Sequence, residues 1–318
     1  MKQKKYILLI ILLMIGLTLI ITKDKGKLAN SSTSEVVDSN IEEESSIVFK
    51  SKLTDEKGNT LSSEGLTWDK NKVYKISIKN TEDIVYGERI YLLLNGTQYD
   101  LNPDDPEKKY IEVEKNMDDT MTVYFTFPDL PKGKYSGILL IEDQYKNEVE
   151  FLTQGSEIRF IISKESESDS KETAQIDKEK KDLKVKKIDG EHIKKELNRT
   201  IDFAVFHESQ VEKLVIKQHN TIETVNDRNV RHYAYIYNYI DFGIDYMIGV
   251  VIDGNIITSE FDSERHIIMS EEEGVYQIDL PRELIPDSTD YYFILIPFPE
   301  YDKKHSVLSF SQKFKLVD

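Results

Sequence analysis

The sequence predicts an all-β protein: two tandem antiparallel β-sandwich modules behind a single N-terminal transmembrane helix. Three observations carry this. A charge-free apolar run opens the chain, short alternating segments fill the rest, and the second half repeats the spacing of the first.

The run from Tyr6 to Thr22 follows Lys2, Lys4 and Lys5. At about 1.5 Å per helical residue it reaches roughly 25 Å, the short end of a bilayer's hydrocarbon core. Residues 6–22 are therefore read as a signal-anchor, with Tyr6, Ile10, Leu13, Leu17 and Ile21 inside it and 1–5 as a short cytoplasmic tail. The lysines before the run slightly favour a cytoplasmic N-terminus, which places the remainder outside the cell membrane. Cleavage as a secretory signal is the alternative and would release the chain, but no good small-x-small site follows Thr22. With no cysteine in the chain, neither a lipid-modified cysteine nor a disulfide can form.

Composition sets limits on function. Of the 318 residues 39% are hydrophobic and 31% charged, with eighteen tyrosines, enough for two modest cores under a well-solvated surface. A net charge of −16 argues against a nucleic-acid partner, whose phosphates repel an acidic surface.

Residues 23–45 are rich in Ser, Glu, Asp and Lys and read as a flexible stalk. Module 1 spans 46–163. Its strands are read at Ile47–Leu53, Val73–Lys79, Arg89–Leu94, Met121–Phe127 and Tyr135–Ile141, each a period-2 alternation. Turn signals separate them, among them Asn95-Gly96 and Pro131-Lys-Gly133. Residues 164–199 are charge-dense and free of aromatics, read as a linker, although Ile188 and Ile193 permit partial helix. Module 2 spans 200–318.

The halves repeat at an offset of 158. Asn80 to Asn95-Gly96 encloses Ile90, Leu92 and Leu94, and Asn238 to Asp253-Gly254 encloses Ile248, Val250 and Ile252. Many short strands, turns between them and few helices resemble immunoglobulin-like sandwiches in architecture, with a small barrel as the alternative. The Cys and Trp hallmark of antibody domains is missing, Trp68 being the single tryptophan.

No catalytic residue, metal ligand set or cofactor motif is assigned. His207-Glu208 begins like a zincin helix, but Val211 stands where the second histidine belongs. Ser168 to Lys171 fits SxxK formally within the charged tract, where nothing lowers the lysine's pKa. Asp104, Asp105, Glu107, Asp118 and Asp119 are hard oxygen donors, yet they form no EF-type loop.

One surface stands out. Tyr233, Tyr235, Tyr237 and Tyr239 alternate along one segment, so a strand presents all four rings on one face. Matching Asn80 to Asn238 sets these rings opposite Lys75, Ser77 and Lys79, the water side of module 1, and turns Met247 and Val251 outward on the next strand. The six residues are read as a partner-binding patch that module 1 lacks, for a surface protein or cell-wall glycan. If so, replacing Tyr235 and Tyr237 by Ser weakens binding while the melting temperature stays within a few degrees. A structural ladder is the competing reading of the stripe. For the whole chain, the expected function is a membrane-anchored binding or accessory protein and not an enzyme. The alternatives are a structural spacer and a wall-directed hydrolase whose site is dispersed in sequence.

Overall fold

The computed structural model describes residues 50–61, 65–101, 105, 108–146, 154–164, 183–199, 202–212, 214, 219–223, 228–239, 243–259, 266–297 and 308–317. The apolar run 6–22, the stalk 23–45, Asp104 and Glu107 lie outside them, as does 165–182 of the charged tract. Among the described residues no helix is long and apolar enough to cross a membrane.

Strands dominate the described chain. The first half supplies β1 (Lys50–Asp55), β2 (Leu66–Thr67), β3 (Tyr74–Lys79), β4 (Val85–Leu94), β5 (Thr97–Tyr99), β6 (Tyr110–Glu114), β7 (Thr120–Phe125), β8 (Gly133–Tyr145) and β9 (Gly155–Lys164). They form a sheet in the order β1-β3-β7 and a second in the order β2-β9-β8-β4-β5, with β6 also on β4. Period-2 alternation sends Ile76, Ile78, Met121 and Val123 of one sheet against Ile90, Leu92, Leu94, Leu139 and Ile141 of the other, closing one core.

The second half begins with β10 (Lys184–Ile188) and helix α1 (Glu191–Leu197), then β11 (Phe203–His207), β12 (His219–Glu223), β13 (Asn229–Tyr237), β14 (Ile244–Ile252) and β15 (Asn255–Thr258). After these come β16 (His266–Ile268), β17 (Glu273–Pro281), β18 (Asp290–Pro297), β19 (Ser309–Phe310) and β20 (Lys313–Val317). The sheets run β10-β17-β13-β11 and β12-β20-β18-β14-β15, with β16 on β14 and β19 on β18. Val205, Ala234, Ile236 and Ile278 face Ile248, Val250, Phe293 and Leu295 in the second core.

Strand order and register recur between the halves. The order β11-β13-β17 repeats β1-β3-β7, and the parallel pair β12/β20 repeats β2/β9. Ile76 pairs with Val123 as Ala234 pairs with Tyr276, and Leu92 pairs with Leu139 as Val250 pairs with Phe293. Both hairpins turn through two residues at positive φ, Asn95 and Gly96 at 48° and 78°, Asp253 and Gly254 at 47° and 72°. The N–H of Asn80 donates to Asp119 O at 2.9 Å, and that of Asn238 to Glu272 O at 3.0 Å.

The charged tract is where the expected boundary moves. Its end is no linker: β10 pairs with β17, and Val185 reaches the second core. Helix α1 then lays Ile193 and Leu197, one helical turn apart, onto the outer side of the same sheet. Averaged composition hid these few apolar residues among the charges.

Candidate contact surfaces

Strand β13 sends Ala234 and Ile236 into the second core and Tyr233, Tyr235 and Tyr237 to the opposite face. That face is not open to water, which corrects the sequence reading. Tyr235 is fully buried among Ala204, Phe206 and Val275 of the sheet and Ile193 and Leu197 of α1. Its hydroxyl donates to Glu273 Oε2 at 2.8 Å and accepts from Arg199 N at 3.2 Å, and burial beside that carboxylate raises its pKa. The Arg199 guanidinium lies 5.4 Å from the Tyr237 ring centre. Gly190 starts α1 at φ 55°, and a Cβ there would meet the Val275 side chain at 2.5 Å, so only glycine lets the helix sit this close. The stripe is a roofed structural layer at Tyr235, with Tyr233 and Tyr237 half-buried against it.

Met247 and Val251 point away from the second core, but they are buried too. They join Tyr292, Ile294 and Ile296 in a cluster completed by Tyr91, Leu93, Tyr110, Ile138 and Leu140 of the first sandwich. Module 1 does not lack an apolar outer face; it carries one, and the two faces cover each other within the compact unit Ile47–Asp318. Polar contacts seal the rim. Gln98 Nε2 donates to Gly254 O at 3.2 Å, Ile256 N donates to Gln98 Oε1 at 2.7 Å, and Thr258 Oγ1 donates to Gly96 O at 2.7 Å. Within the joint Tyr91 donates its hydroxyl to Glu142 Oε2 at 2.6 Å.

With those residues withdrawn, the large apolar side chains left exposed are Ile84, Tyr86, Met117, Tyr124, Tyr239 and Met269 among the described residues. Five of them gather near the two equivalent asparagines. Asn238 Nδ2 donates to Met269 O at 3.2 Å, and Tyr239 follows it in the chain with 57% of its surface exposed. Around Asn80, Lys115 N donates to Tyr86 O at 2.7 Å and Lys146 N to Ile84 O at 2.8 Å, with the fully exposed Met117 two positions beyond Lys115. Matching the loops that follow each asparagine identifies these two ends from sequence, whereas strand periodicity carries no signal for them.

Buried carboxyls form a separate feature. Glu88 and Asp143 lie inside the end of the first sandwich, where burial, then the neighbouring Asp143, pushes Glu88 up to about 9, while burial raises Asp143 against the lowering effect of its contact with Glu88. Asn80 Oδ1 accepts from Glu82 N at 2.9 Å, which turns its NH2 toward Glu88 Oε1 at 3.3 Å. A donor aimed at the acid suits a shared proton and opposes a cation. The pair is sealed from substrate. In the second sandwich the corresponding positions are Tyr246 and Pro297, so the fold itself does not require acids there.

His207 serves locally. Its Nδ1 accepts from Ser209 N at 3.2 Å, capping the short helical turn Glu208–Gln210. Asp119 pairs with Lys115 at 3.0 Å. Among the described residues no group of three or more His, Asp or Glu side chains converges to hold a metal ion.

No family model and no curated protein matches the chain. Among solved structures, the chain is similar to a protein from Corynebacterium diphtheriae described as membrane anchored, at 7% identity and a TM-score of 0.21 over 84% of this chain and 59% of that one. It is also similar to a red sea bream transglutaminase, at 7% identity and a TM-score of 0.23 over 85% of this chain and 32% of that one. The chain thus spans less than two thirds of either.

Proposed function

We propose that the chain is a membrane-tethered extracytoplasmic binding or accessory protein, two immunoglobulin-like modules fused into one body, which engages a surface protein or cell-wall glycan and catalyses nothing. The apolar run 6–22 and the stalk 23–45 supply the tether. The observation that carries the reading is that exposed Tyr239 and Met269 flank Asn238, and Ile84, Tyr86 and Met117 flank Asn80, at the corresponding loop end of each sandwich, while the other large apolar faces are used up internally. Exposed aromatic and methionine side chains on loop ends are the residue types that anchor partners.

A pull-down from membranes with residues 46–318 tests this. The double change Tyr239→Ser, Met269→Ser removes the captured partner and leaves the melting temperature unchanged. Capture that persists at full yield would refute loop-end recognition in the second module. The apolar joint between sandwiches favours a second reading, a rigid spacer, for which shortening the chain between residues 164 and 183 changes the phenotype and the loop changes do not.

A further inference from the structure

The internal repeat provides a comparison for every sheet edge. In the second sandwich β17 is flanked by β13 on one side and β10 on the other. Strand β10 runs antiparallel, Val185 pairing with Ile278 and entering the core while Lys184 and Lys186 stay exposed. In the first sandwich the corresponding strand is β7, and among the described residues it pairs with β3 alone.

Among the described residues the β7 edge carries none of the usual protection. Its sequence Thr-Met-Thr-Val-Tyr-Phe from Thr120 to Phe125 has no charge and no proline, and β-branched or aromatic residues fill most of it. The other edges differ. Strand β1 bears Lys52 and Asp55, β11 is capped at Val205 O by the Gln312 side chain, and β5 packs into the joint. An uncharged edge with free backbone donors and acceptors is a template for strand addition.

Charge selects the occupant. The outer face of this sheet presents Lys52, Lys75 and Lys79 on a chain of net charge −16, and Lys75 Nζ reaches over β7 to 5.9 Å from the ring centre of Tyr124, which is 59% exposed. A second copy would bring the same lysines against these; an acidic strand would meet them favourably. We propose that β7 accepts an added antiparallel strand from an extended acidic segment of a partner protein. Alternate apolar side chains of that segment turn toward Val123 and Phe125, and its carboxylates toward Lys75 and Lys79. This edge begins beside the Asn80 loop, where Asn80 N donates to Asp119 O, but lies in the other sandwich from Tyr239 and Met269, so the two proposals fail separately.

The test uses the full chain in detergent and a short labelled peptide alternating glutamate and valine. Two control peptides replace glutamate by lysine or methylate the backbone nitrogens. The glutamate peptide binds at least about tenfold more tightly than either control, since one or two charge pairs or a few backbone hydrogen bonds account for that factor. Amide hydrogen exchange slows at residues 120–125 on binding. Thr122→Glu, at an exposed position on the lysine face, and Lys75→Glu each weaken binding about tenfold by setting like charge against the peptide's carboxylates, whereas Tyr239→Ser does not. Equal binding of the methylated peptide overturns strand addition, and so does unchanged exchange at β7. Protection of β7 that grows with protein concentration and needs no peptide assigns the edge to a second copy and overturns the acidic partner. Should Thr122→Glu fail to fold, the methylated control on the unaltered chain decides.

Discussion

The backbone N–H of Ile256 donates to Gln98 Oε1 at 2.7 Å, and these two residues occupy the same position in the two sandwiches, 158 residues apart. Each follows its Gly of the hairpin turn by two, and each strand carries the neighbouring apolar face into the joint. A patch meeting its own counterpart has the self-complementary character of a two-fold interface, here within one chain.

Placing a charge in that joint should uncouple the halves. Val251 is 2% exposed and sits in the cluster with Leu93, Leu140 and Ile294. Val251→Asp buries an unpaired carboxylate, a penalty of several kcal/mol, on the order of 3–5. Scanning calorimetry should show one unfolding transition in the unaltered chain and two in the variant. A single transition at an unchanged temperature would mean the halves never melted together.

Tyr235 should behave as a core residue. Tyr235→Phe loses two hydrogen bonds and leaves Glu273 without its donor, costing about 1–3 kcal/mol. Tyr235→Ser also empties the space under α1 and costs about 3–5 kcal/mol by analogy with large-to-small core changes. Denaturant unfolding measures both. Equal stability of Tyr235→Ser and the unaltered chain would contradict the burial of this face.

The strand pattern was legible because period-2 alternation and Asn-Gly turns are local signals. Leu92 and Val250, or Asn95-Gly96 and Asp253-Gly254, could be matched without knowing the fold. Even the side of β13 on which Tyr235 lies followed from the match of Asn80 to Asn238. What covers that side did not, because cover is a tertiary property. Ile193 and Leu197 are two apolar residues in a tract of lysine and glutamate, and nothing local says that they fold back onto Tyr235. The same holds for Val251, whose cover comes from residues more than a hundred positions earlier. Tyr239 is exposed because it lies past the end of β13, the strand that carries its three companions under α1.

Glu88 should make the first sandwich weaker in alkali. Its pKa of about 9 exceeds the ordinary 4.5, so between those values the folded chain holds a proton that the unfolded chain releases. Stability is then full below about pH 4.5 and falls as the pH rises toward 9. Glu88→Gln keeps an oxygen for Asn80 and offers an NH2 to Asp143. It should melt higher than the unaltered chain at pH 8 and equally at pH 4. An identical slope of melting temperature against pH in both proteins would show that Glu88 ionises freely in the fold.

His232 should act with the opposite sign in the second sandwich. Its ring is buried, with ring centres of Phe293 at 4.8 Å, Phe314 at 4.9 Å and His207 at 5.4 Å, and its Nε2 shares a proton with Tyr291 Oη at 3.3 Å. Burial first, then the neighbouring His207, hold its pKa well below 6.5. Neutral in the fold and free to charge when unfolded, it contributes stability that is full above pH 6.5 and lost progressively as the pH falls below it, since the unfolded chain then binds the extra proton. Tyr74 fills the corresponding place in the first core without a titrating ring at these pH values. His232→Phe should therefore flatten the loss of stability between pH 7 and 5, at a modest cost from the unpaired Tyr291 hydroxyl. Chemical denaturation at both pH values measures the difference, and a variant that loses as much stability on acidification as the unaltered chain would place the acid sensitivity elsewhere.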